Sequence, residues 1–196
     1  MTRRLRSEKC DRCGLPPPLC LCAALQPFPC AIRVLVVIHH REAVRPSNTG
    51  HLLPLLLSDA QHRLRGEPPP FEAPFAPPPL DLGIGPAVVL YPADDALELT
   101  ADAPFRTLVV PDGNWAQARR TVQREPGLPG LPRVRLPAGP PPLRRLRGHP
   151  EDDHLSTLEA VARALGILAG PPVQAHLEAA WQRFADAVER LREGGI

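Results

Sequence analysis

The sequence predicts an α/β protein in which a mostly parallel sheet is flanked by helices, with a small cysteine-rich segment in front of it. Short, nearly continuous apolar runs alternate with longer stretches of helical periodicity, as in sheets whose strands are buried on both faces. Polar residues follow three of the apolar runs directly, which is where open sheets of this kind bind ligands. With 196 residues, of which 43% are hydrophobic, the chain is long enough for one well-buried core.

The cysteine-rich segment is residues 1–28, and the main domain is expected to be residues 29–196. Four cysteines lie in the spacing Cys10-x2-Cys13-x6-Cys20-x-Cys22. No secretory signal or membrane-length apolar run is visible, so we expect a cytoplasmic protein with reduced thiols. Four neighbouring thiols then favour a structural zinc site, which would stabilise a segment with too few apolar residues for a core. An iron–sulfur cluster and unligated core thiols are the alternatives.

The main domain divides into four predicted strands and four predicted helices. Residues 31–38 form a nearly continuous apolar run, which is typical of a central parallel strand. Ser47, Asn48 and Thr49 are helix-capping residue types in front of the first predicted helix. The last helix carries apolar residues at helical spacing, which indicates one buried face. The predicted strands are 31–38, 87–91, 107–110 and 133–136, and the predicted helices are 52–57, 116–123, 157–168 and 173–192.

Residues 112–115, with the sequence Asp-Gly-Asn-Trp, follow the predicted strand 107–110 and precede a helix. A carboxylate at the end of a strand can transfer protons, and an indole beside it can cover a flat or apolar ligand. Asp and Asn are also common in turns and helix caps, and Trp115 could simply pack on the sheet. Polar residues follow the other strands as well, at 39–50 and 94–95. Because several polar loops meet at one edge, an active site is the favoured interpretation.

Charge is segregated along the chain, although the net charge is only +2. Residues 119–147 contain eight arginines and one acid, whereas residues 150–196 contain eight acids and four arginines. A basic stretch of this kind is typical of a phosphate-binding face, although arginines are also common on solvated helix faces. Gly83-x-Gly85 lacks the third glycine and the following helix of a dinucleotide-binding fold, which argues against that class. The candidate RNA-binding residues are Arg119, Arg120, Arg144, Arg145 and Arg147.

Five groups of residues occur in a fixed order along nearly the whole chain. They are the four cysteines; His39 to Glu42 with Arg45-Pro46-Ser47-Asn48-Thr49-Gly50; Leu90-Tyr91-Pro92; Asp112-Gly113-Asn114-Trp115; and Leu155-Ser156-Thr157-Leu158-Glu159-Ala160. In this order they resemble the DTW-domain family, the tRNA-uridine aminocarboxypropyltransferases. Asn114 stands where the family motif has Thr, and it retains a short side chain that can form hydrogen bonds and cap a helix.

The resemblance implies a SPOUT-like fold, in which a C-terminal knot of the chain forms the pocket for S-adenosylmethionine. It also implies transfer of the 3-amino-3-carboxypropyl group of this cofactor to N3 of a uridine in tRNA, with release of methylthioadenosine. Asp112 is then the candidate base for the N3 proton, with its basicity raised by burial beside Trp115. Trp115 would pack against the adenine, the methionine part or a flipped uracil. The alternatives are a SPOUT-like RNA methyltransferase and a non-enzymatic zinc-containing RNA-binding protein, and ribosomal RNA is a related alternative acceptor.

Further residues of the matching motifs become candidates for the cofactor pocket. Arg41 or Arg45 would hold the cofactor carboxylate, unless Arg45 only pairs with Glu42. Ser156 would either contact the cofactor or only cap the helix in which Glu159 is the third residue. We expect tRNA as the partner, and neither a membrane nor an obligatory protein partner. The candidate cofactor-binding residues are Arg41, Arg45, Asn48, Thr49, Pro92, Gly113, Asn114, Leu136, Ser156, Thr157 and Glu159.

Overall fold

A computed structural model of the protein describes residues 9–66, 78–144, 146 and 155–194. In this part of the chain the strands are β1 (Arg33–His39), β2 (Ala60–Arg65), β3 (Ala87–Leu90), β4 (Leu97–Glu98), β5 (Thr107–Asp112) and β6 (Arg133–Arg135). The α-helices are α1 (His40–Ala43), α2 (Leu53–Leu56), α3 (Trp115–Arg124), α4 (Thr157–Ala169) and α5 (Pro171–Arg192). Two short 3-10 helices, Pro17–Leu19 and Gly50–Leu52, precede β1 and α2.

The described strands form one sheet in the order β2-β1-β5-β3-β6-β4, and every pair of neighbours is parallel. The predicted fold class, a mostly parallel sheet with flanking helices, is confirmed. In the register of β1 against β5, Ile38 lies opposite Asp112. The carboxyl ends of the strands therefore share one edge of the sheet, where α/β proteins bind their ligands. The knot implied by the family resemblance stays a prediction.

The predicted strands and helices are present with small shifts at their ends, and two strands were not predicted. Strand β2 is an edge strand with a largely polar sequence and no fully buried residue, and β4 has only two residues. Neither gives the apolar run on which the prediction depends. The predicted helix 52–57 begins as a 3-10 turn and continues only as the four-residue α2, with Pro54 in its first turn.

The sheet is buried on both faces because successive residues of a strand point to opposite sides. On one side, Val36 and Val110 belong to a core that includes Trp181 and Phe184 of the amphipathic α5. The other face of the sheet packs with Val122 of α3 in a smaller cluster. This arrangement places α3 on one face and α4 and α5 on the other.

The cysteine-rich segment packs onto the main core. Cys13 and Leu15 are fully buried, and they belong to the same cluster as the α4 and α5 side chains. Phe28 forms an isolated parallel bridge with Leu57 just before the first strand. The predicted division at residue 28 stays a prediction. Among the described residues, no helix combines the length and the apolar character that crossing a membrane requires.

Candidate functional site

Asp112, the last residue of β5, is buried at the carboxyl edge of the sheet. Its Oδ2 atom accepts a hydrogen bond from Asn48 Nδ2 at 2.6 Å, and its Oδ1 atom accepts one from Thr157 Oγ1 at 2.8 Å. Gly50 also approaches this carboxylate closely. The carboxylate therefore joins the loop before α2, the end of β5 and the first turn of α4. These two hydrogen bonds fix the orientation of the carboxylate.

The Asp-Gly-Asn-Trp turn connects β5 to α3 through a capping box. Gln117 N donates to Asn114 Oδ1 at 2.9 Å, and Asn114 N donates to Gln117 Oε1 at 2.7 Å. Gly113 lies so close to the helix that a Cβ atom there would be 2.9 Å from Gln117 Cβ. Asn114 therefore caps the helix, as expected for the residue that replaces the family Thr.

Trp115 begins α3 and is half exposed. Its ring lies 6.1 Å from that of Tyr91, which follows β3. Pro92 and Leu136 come just after β3 and β6, so both lie at the edge that carries Asp112. Tyr91 packs against the smaller cluster on the α3 face of the sheet, whereas Asp112 follows Val110 on the face that carries α4 and α5. The half-exposed Trp115 and the partly buried Tyr91 thus offer a surface for a flat group at the same sheet edge as the carboxylate.

The predicted residues of the loop before α2 meet those of α4. Leu158 N donates to Thr49 Oγ1 at 3.2 Å, and both groups are buried. Together with the hydrogen bonds of Asp112, this contact brings Asn48, Thr49 and Thr157 into one cluster. Four residues predicted for one site from separate motifs are therefore neighbours in space.

Ser156 and Glu159 form the second capping box, at the start of α4. Ser156 N and Oγ both donate to Glu159 Oε2, at 3.1 and 2.8 Å, and Leu143 N donates to Glu159 Oε1 at 2.8 Å. The capping role weighed from the sequence is therefore present. Because these protein groups bind both carboxylate oxygens, contact of Ser156 and Glu159 with a cofactor stays a prediction.

The two arginines proposed to hold a cofactor carboxylate differ in their surroundings. Arg45 Nε lies 3.2 Å from Oε1 of the buried Glu42, so the pairing considered from the sequence is present. The Arg45 side chain is nevertheless 54% exposed. Arg41 is exposed, and its backbone N–H donates to His39 Nδ1 at 3.3 Å. A role of either arginine in binding a cofactor stays a prediction.

The predicted RNA-binding arginines do not share one environment. Arg119 and Arg120 are exposed on α3. Arg144 instead forms ion pairs with Asp186 and with Glu189 of α5, the latter at 2.7 Å. The fold thus neutralises part of the basic stretch with acids from the C-terminal segment. Two further candidates, Arg145 and Arg147, lie outside the described residues.

The four predicted metal ligands come together. The Sγ atoms of Cys10, Cys13, Cys20 and Cys22 all lie within 4.8 Å of one another. The Cys10–Cys22 and Cys13–Cys20 separations are 3.6 and 3.7 Å. A tetrahedral zinc ion with bonds of about 2.3 Å requires sulfur–sulfur distances of about 3.8 Å. Two of the separations are close to this value and the others do not exceed 4.8 Å, so the four thiols can surround such an ion.

Two of these thiols have strongly shifted acidities. Hydrogen bonds from the backbone of Cys13 and Arg12 lower the pKa of the Cys10 thiol to about 6. Burial and the neighbouring thiols raise the pKa of Cys22 to about 12. A bound cation favours the thiolate form of all its ligands. Cys10 is thus prepared for a metal by its own turn, whereas deprotonation of Cys22 requires the positive charge itself.

Sequence reasoning did not select Gly50 or His51 as site residues. A Cβ atom on Gly50 would lie 2.4 Å from Asp112 Oδ2 and 3.0 Å from Val36 Cγ1. His51 Nδ1 lies 3.1 Å from Asn48 Oδ1. The Asn-Thr-Gly run marked Gly50 as part of a motif, but the spatial reason for a glycine appears only in the fold. A lone histidine in an apolar stretch gave no comparable signal.

Replacing Gly50 by alanine is expected to displace the Asp112 carboxylate, because the added Cβ would overlap one of its oxygens. We expect a loss of stability of roughly 1–3 kcal/mol from overpacking and a marked fall in activity. Gly139→Ala is the matched control, since its Cβ would meet only the Arg163 guanidinium at 3.3 Å and a carbonyl at 3.9 Å. Thermal unfolding and activity of the two variants check this. If both variants unfold at the same temperature and are equally active, the close approach of Gly50 to Asp112 has no effect on stability or activity.

These features define an α/β protein with a candidate active site at the carboxyl edge of a parallel sheet and a four-cysteine cluster suited to a metal. The chain belongs to the DTW-domain family, since the model of the DTW domain matches residues 7–189. The resemblance seen in the order of the sequence motifs is therefore confirmed.

Two relatives with known names match most of the chain. The tRNA-uridine aminocarboxypropyltransferase 2 of Drosophila melanogaster is 32% identical over 173 residues, which are 85% of this chain and 69% of that protein. The protein of the same name from Mus musculus is 29% identical over 174 residues, which cover 83% of this chain and 57% of the mouse protein. This chain thus spans little more than half the length of its mouse relative.

A solved structure shares the fold. The SAM-dependent rRNA:acp-transferase Tsr3 from Vulcanisaeta distributa has a TM-score of 0.50 and 22% sequence identity, and the match covers 83% of this chain and 84% of that chain. At this level of identity the likeness concerns the arrangement of strands and helices.

Proposed function

We propose that this protein transfers the 3-amino-3-carboxypropyl group of S-adenosylmethionine to N3 of a uridine in tRNA, with release of methylthioadenosine. The observation that carries the proposal is the buried Asp112 carboxylate, held by Asn48 and Thr157 at the ligand-binding edge of the sheet. The reaction type is supported by the names of the Drosophila and mouse relatives and of the Tsr3 acp-transferase. The SAM dependence of Tsr3 supports S-adenosylmethionine as the donor.

The reaction requires that the uridine N3 proton be removed. A bond forms between N3 and the transferred carbon while the bond from that carbon to sulfur breaks, and its electron pair stays on sulfur. The N3 proton passes to a carboxylate oxygen of Asp112. Because a sulfonium is already a good leaving group, the protein mainly has to orient the reactants and accept this proton. The hydrogen bonds from Asn48 and Thr157 hold the carboxylate in one orientation, which is what positions it to accept this proton.

The surroundings of Asp112 suggest how the two reactants are arranged. Trp115 is half exposed at the start of α3, and the partly buried Tyr91 ring lies 6.1 Å from it at the carboxyl edge of the sheet. We assign to them the stacking of a flat base, either the adenine of the donor or the extruded uracil. The first turn of α4 and the loops after β3 and β6 complete the donor pocket. Arg45 or Arg41 would bind the donor carboxylate, because guanidinium groups pair with carboxylates through two hydrogen bonds.

We also propose that the cysteine cluster binds zinc. An all-thiolate set with nearly tetrahedral sulfur–sulfur distances is typical of structural zinc sites. A site closed by four cysteines leaves no position for a substrate, so its contribution is to hold the N-terminal segment on the core.

Mass spectrometry of nucleosides tests the proposed function. The purified protein is incubated with S-adenosylmethionine and unmodified tRNA, and the tRNA is then digested. Uridine carrying the aminocarboxypropyl group, together with free methylthioadenosine, is the expected result. Uridine carrying a methyl group would identify a methyltransferase instead. Tight tRNA binding with neither product would favour the RNA-binding protein.

The exposed Arg119 and Arg120 are expected to bind tRNA phosphates. Each phosphate contact contributes about 0.7–0.9 to the slope of log K against log salt concentration. An Arg119→Ala, Arg120→Ala variant should therefore bind tRNA more weakly and lose about 1.4–1.8 from that slope. Arg190→Ala, which removes an exposed arginine from α5, is the control. If both variants show the same slope of log K against log salt concentration, the tRNA does not bind at the face of α3 that carries Arg119 and Arg120.

A further inference from the structure

His51 links the cysteine cluster to the Asp112 carboxylate. On one side, its backbone N–H donates to Asn48 Oδ1 at 3.2 Å, and its Nδ1 atom lies 3.1 Å from the same oxygen. Asn48 Nδ2 in turn donates to Asp112 Oδ2 at 2.6 Å. Asn48 is itself almost completely buried. Water cannot readily replace its hydrogen-bond partners, so losing one of them costs free energy.

The other side of the ring lies against the turn that carries the first cysteine pair. A Cβ atom on Gly14 would be 3.4 Å from His51 Nε2 and 3.7 Å from its Cε1 atom. Gly14 has φ of 72°, a conformation that glycine adopts without strain. Burial lowers the pKa of His51, and contact with the backbone of Cys13 opposes this effect. The ring also meets the edge of Phe184 at a centroid distance of 6.2 Å, which leaves it little room to turn.

These contacts select one orientation of the Asn48 amide. The backbone N–H of His51 points at Oδ1, so this oxygen is an acceptor, and Nδ1 of the ring must carry the proton that faces it. With Oδ1 bound in this way, the amide nitrogen points at Asp112. The reverse orientation would place the amide oxygen against a carboxylate oxygen and the amide nitrogen against two donors.

We propose that His51 is a positioning residue through which the folded cysteine turn orients Asn48 and thereby Asp112. The part that concerns catalysis rests on the proposed role of Asp112 as the base. The metal would then affect the reaction from outside the pocket, by fixing the turn against which the His51 ring packs. No proton transfer through the histidine is required.

Three variants separate the two contacts of the ring. His51→Leu removes the hydrogen bond of Nδ1 to Asn48 and changes the packing against the cysteine turn, while it keeps apolar bulk beside Phe184. His51→Asn places an amide nitrogen close to the position of Nδ1, so it keeps a donor for Asn48 without reaching the cysteine turn. His176→Leu is the matched control, because His176 is also a partly buried histidine packed on an aromatic ring, that of Phe28 at 5.2 Å.

Hydrogen exchange of the metal-loaded proteins is the first measurement. In His51→Leu the backbone amides of residues 48–52 should exchange about tenfold faster, because Asn48 loses the hydrogen bond from the His51 ring that helps to fix its amide. His51→Asn should restore most of the protection, and His176→Leu should leave it unchanged. Removing the metal from the wild-type protein should raise exchange both at the cysteines and at residues 48–52. In His51→Leu, metal removal should raise it further only at the cysteines.

Steady-state kinetics is the second measurement. Misplacing a catalytic group by a fraction of an ångström lowers turnover on the order of 10- to 100-fold. We therefore expect kcat of His51→Leu to fall by that factor with a nearly unchanged KM for S-adenosylmethionine, and His51→Asn to recover most of it. Two results would overturn the inference. One is that metal removal leaves hydrogen exchange at residues 48–52 of the wild-type protein unchanged. The other is that His51→Leu and His176→Leu have the same exchange rates at these residues and the same kcat. If the wild-type protein transfers nothing to tRNA, the proposed function fails, while the exchange data still decide whether His51 couples the two regions.

Discussion

Replacing Asp112 by asparagine is expected to lower the rate of aminocarboxypropyl transfer by about 10²- to 10⁴-fold, the usual contribution of a positioned general base. The side chain keeps its size, and its amide oxygen can still accept the hydrogen bond of Thr157. What it loses is the ability to take up the uridine N3 proton. Single-turnover measurements with bound tRNA and S-adenosylmethionine report the chemical step directly.

The same substitution also disturbs the contact with Asn48, because two amide NH₂ groups would face each other across 2.6 Å. A double exchange separates this effect from catalysis. In the Asp112→Asn, Asn48→Asp protein, the new amide donates to the new carboxylate, and that carboxylate can still accept from His51. We expect the double variant to recover much of the thermal stability lost in Asp112→Asn, since the hydrogen-bonded pair is restored.

Transfer activity of the double variant is the decisive result. If Asp112 is the base, the carboxylate is now on the wrong segment and activity stays low although the protein is stable. Recovery of activity together with stability would show that Asp112 only ties the loop, the strand and α4 together. In that case the uridine proton must leave by another route.

The core strands could be predicted from the sequence because burial on both faces leaves an unmistakable apolar run. Residues 31–38 and 107–110 correspond to β1 and β5, which are neighbours at the centre of the sheet. Strand β2 escaped prediction because an edge strand has one partner and an exposed face, so its sequence can be polar. Strand order was not predicted, since parallel strands that pair need not be adjacent in the chain.

The sequence indicated which residues belong to the candidate site, but it did not indicate which of them contact one another. Asn48 and Thr157 were both selected from motifs, yet they meet at Asp112 across 64 and 45 residues of sequence. Nothing in a single sequence records such a contact. The same limit applies to Arg144, whose place in a basic stretch suggested RNA, whereas the fold sets it against two acids of α5. Charge counted along the chain differs from charge on a surface once distant segments pack together.

Removing the proposed zinc ion is expected to destabilise the whole described core rather than the N-terminal segment alone. Cys13 and Leu15 are fully buried in the cluster that also contains Phe184 of α5, so release of the cysteine turn would expose apolar surface far beyond the ligands. We therefore expect a chelator to lower the midpoint of thermal unfolding by well over the 2–4 °C that about 1 kcal/mol represents for a protein of this size.

Cysteine variants show whether this loss comes from the cluster. Cys13→Ser should lose the metal and unfold at a lower temperature even without chelator, because it removes a ligand and places a hydroxyl in the core. Cys30→Ser is the matched control, since Cys30 is only half-buried and lies outside the four-thiol group. Elemental analysis should find zinc in the wild-type and Cys30→Ser proteins and little in Cys13→Ser. Iron with visible absorbance would indicate an iron–sulfur cluster in place of zinc. A wild-type protein that contains no metal and keeps its unfolding temperature in the presence of chelator would mean that the four thiols pack as ordinary core residues.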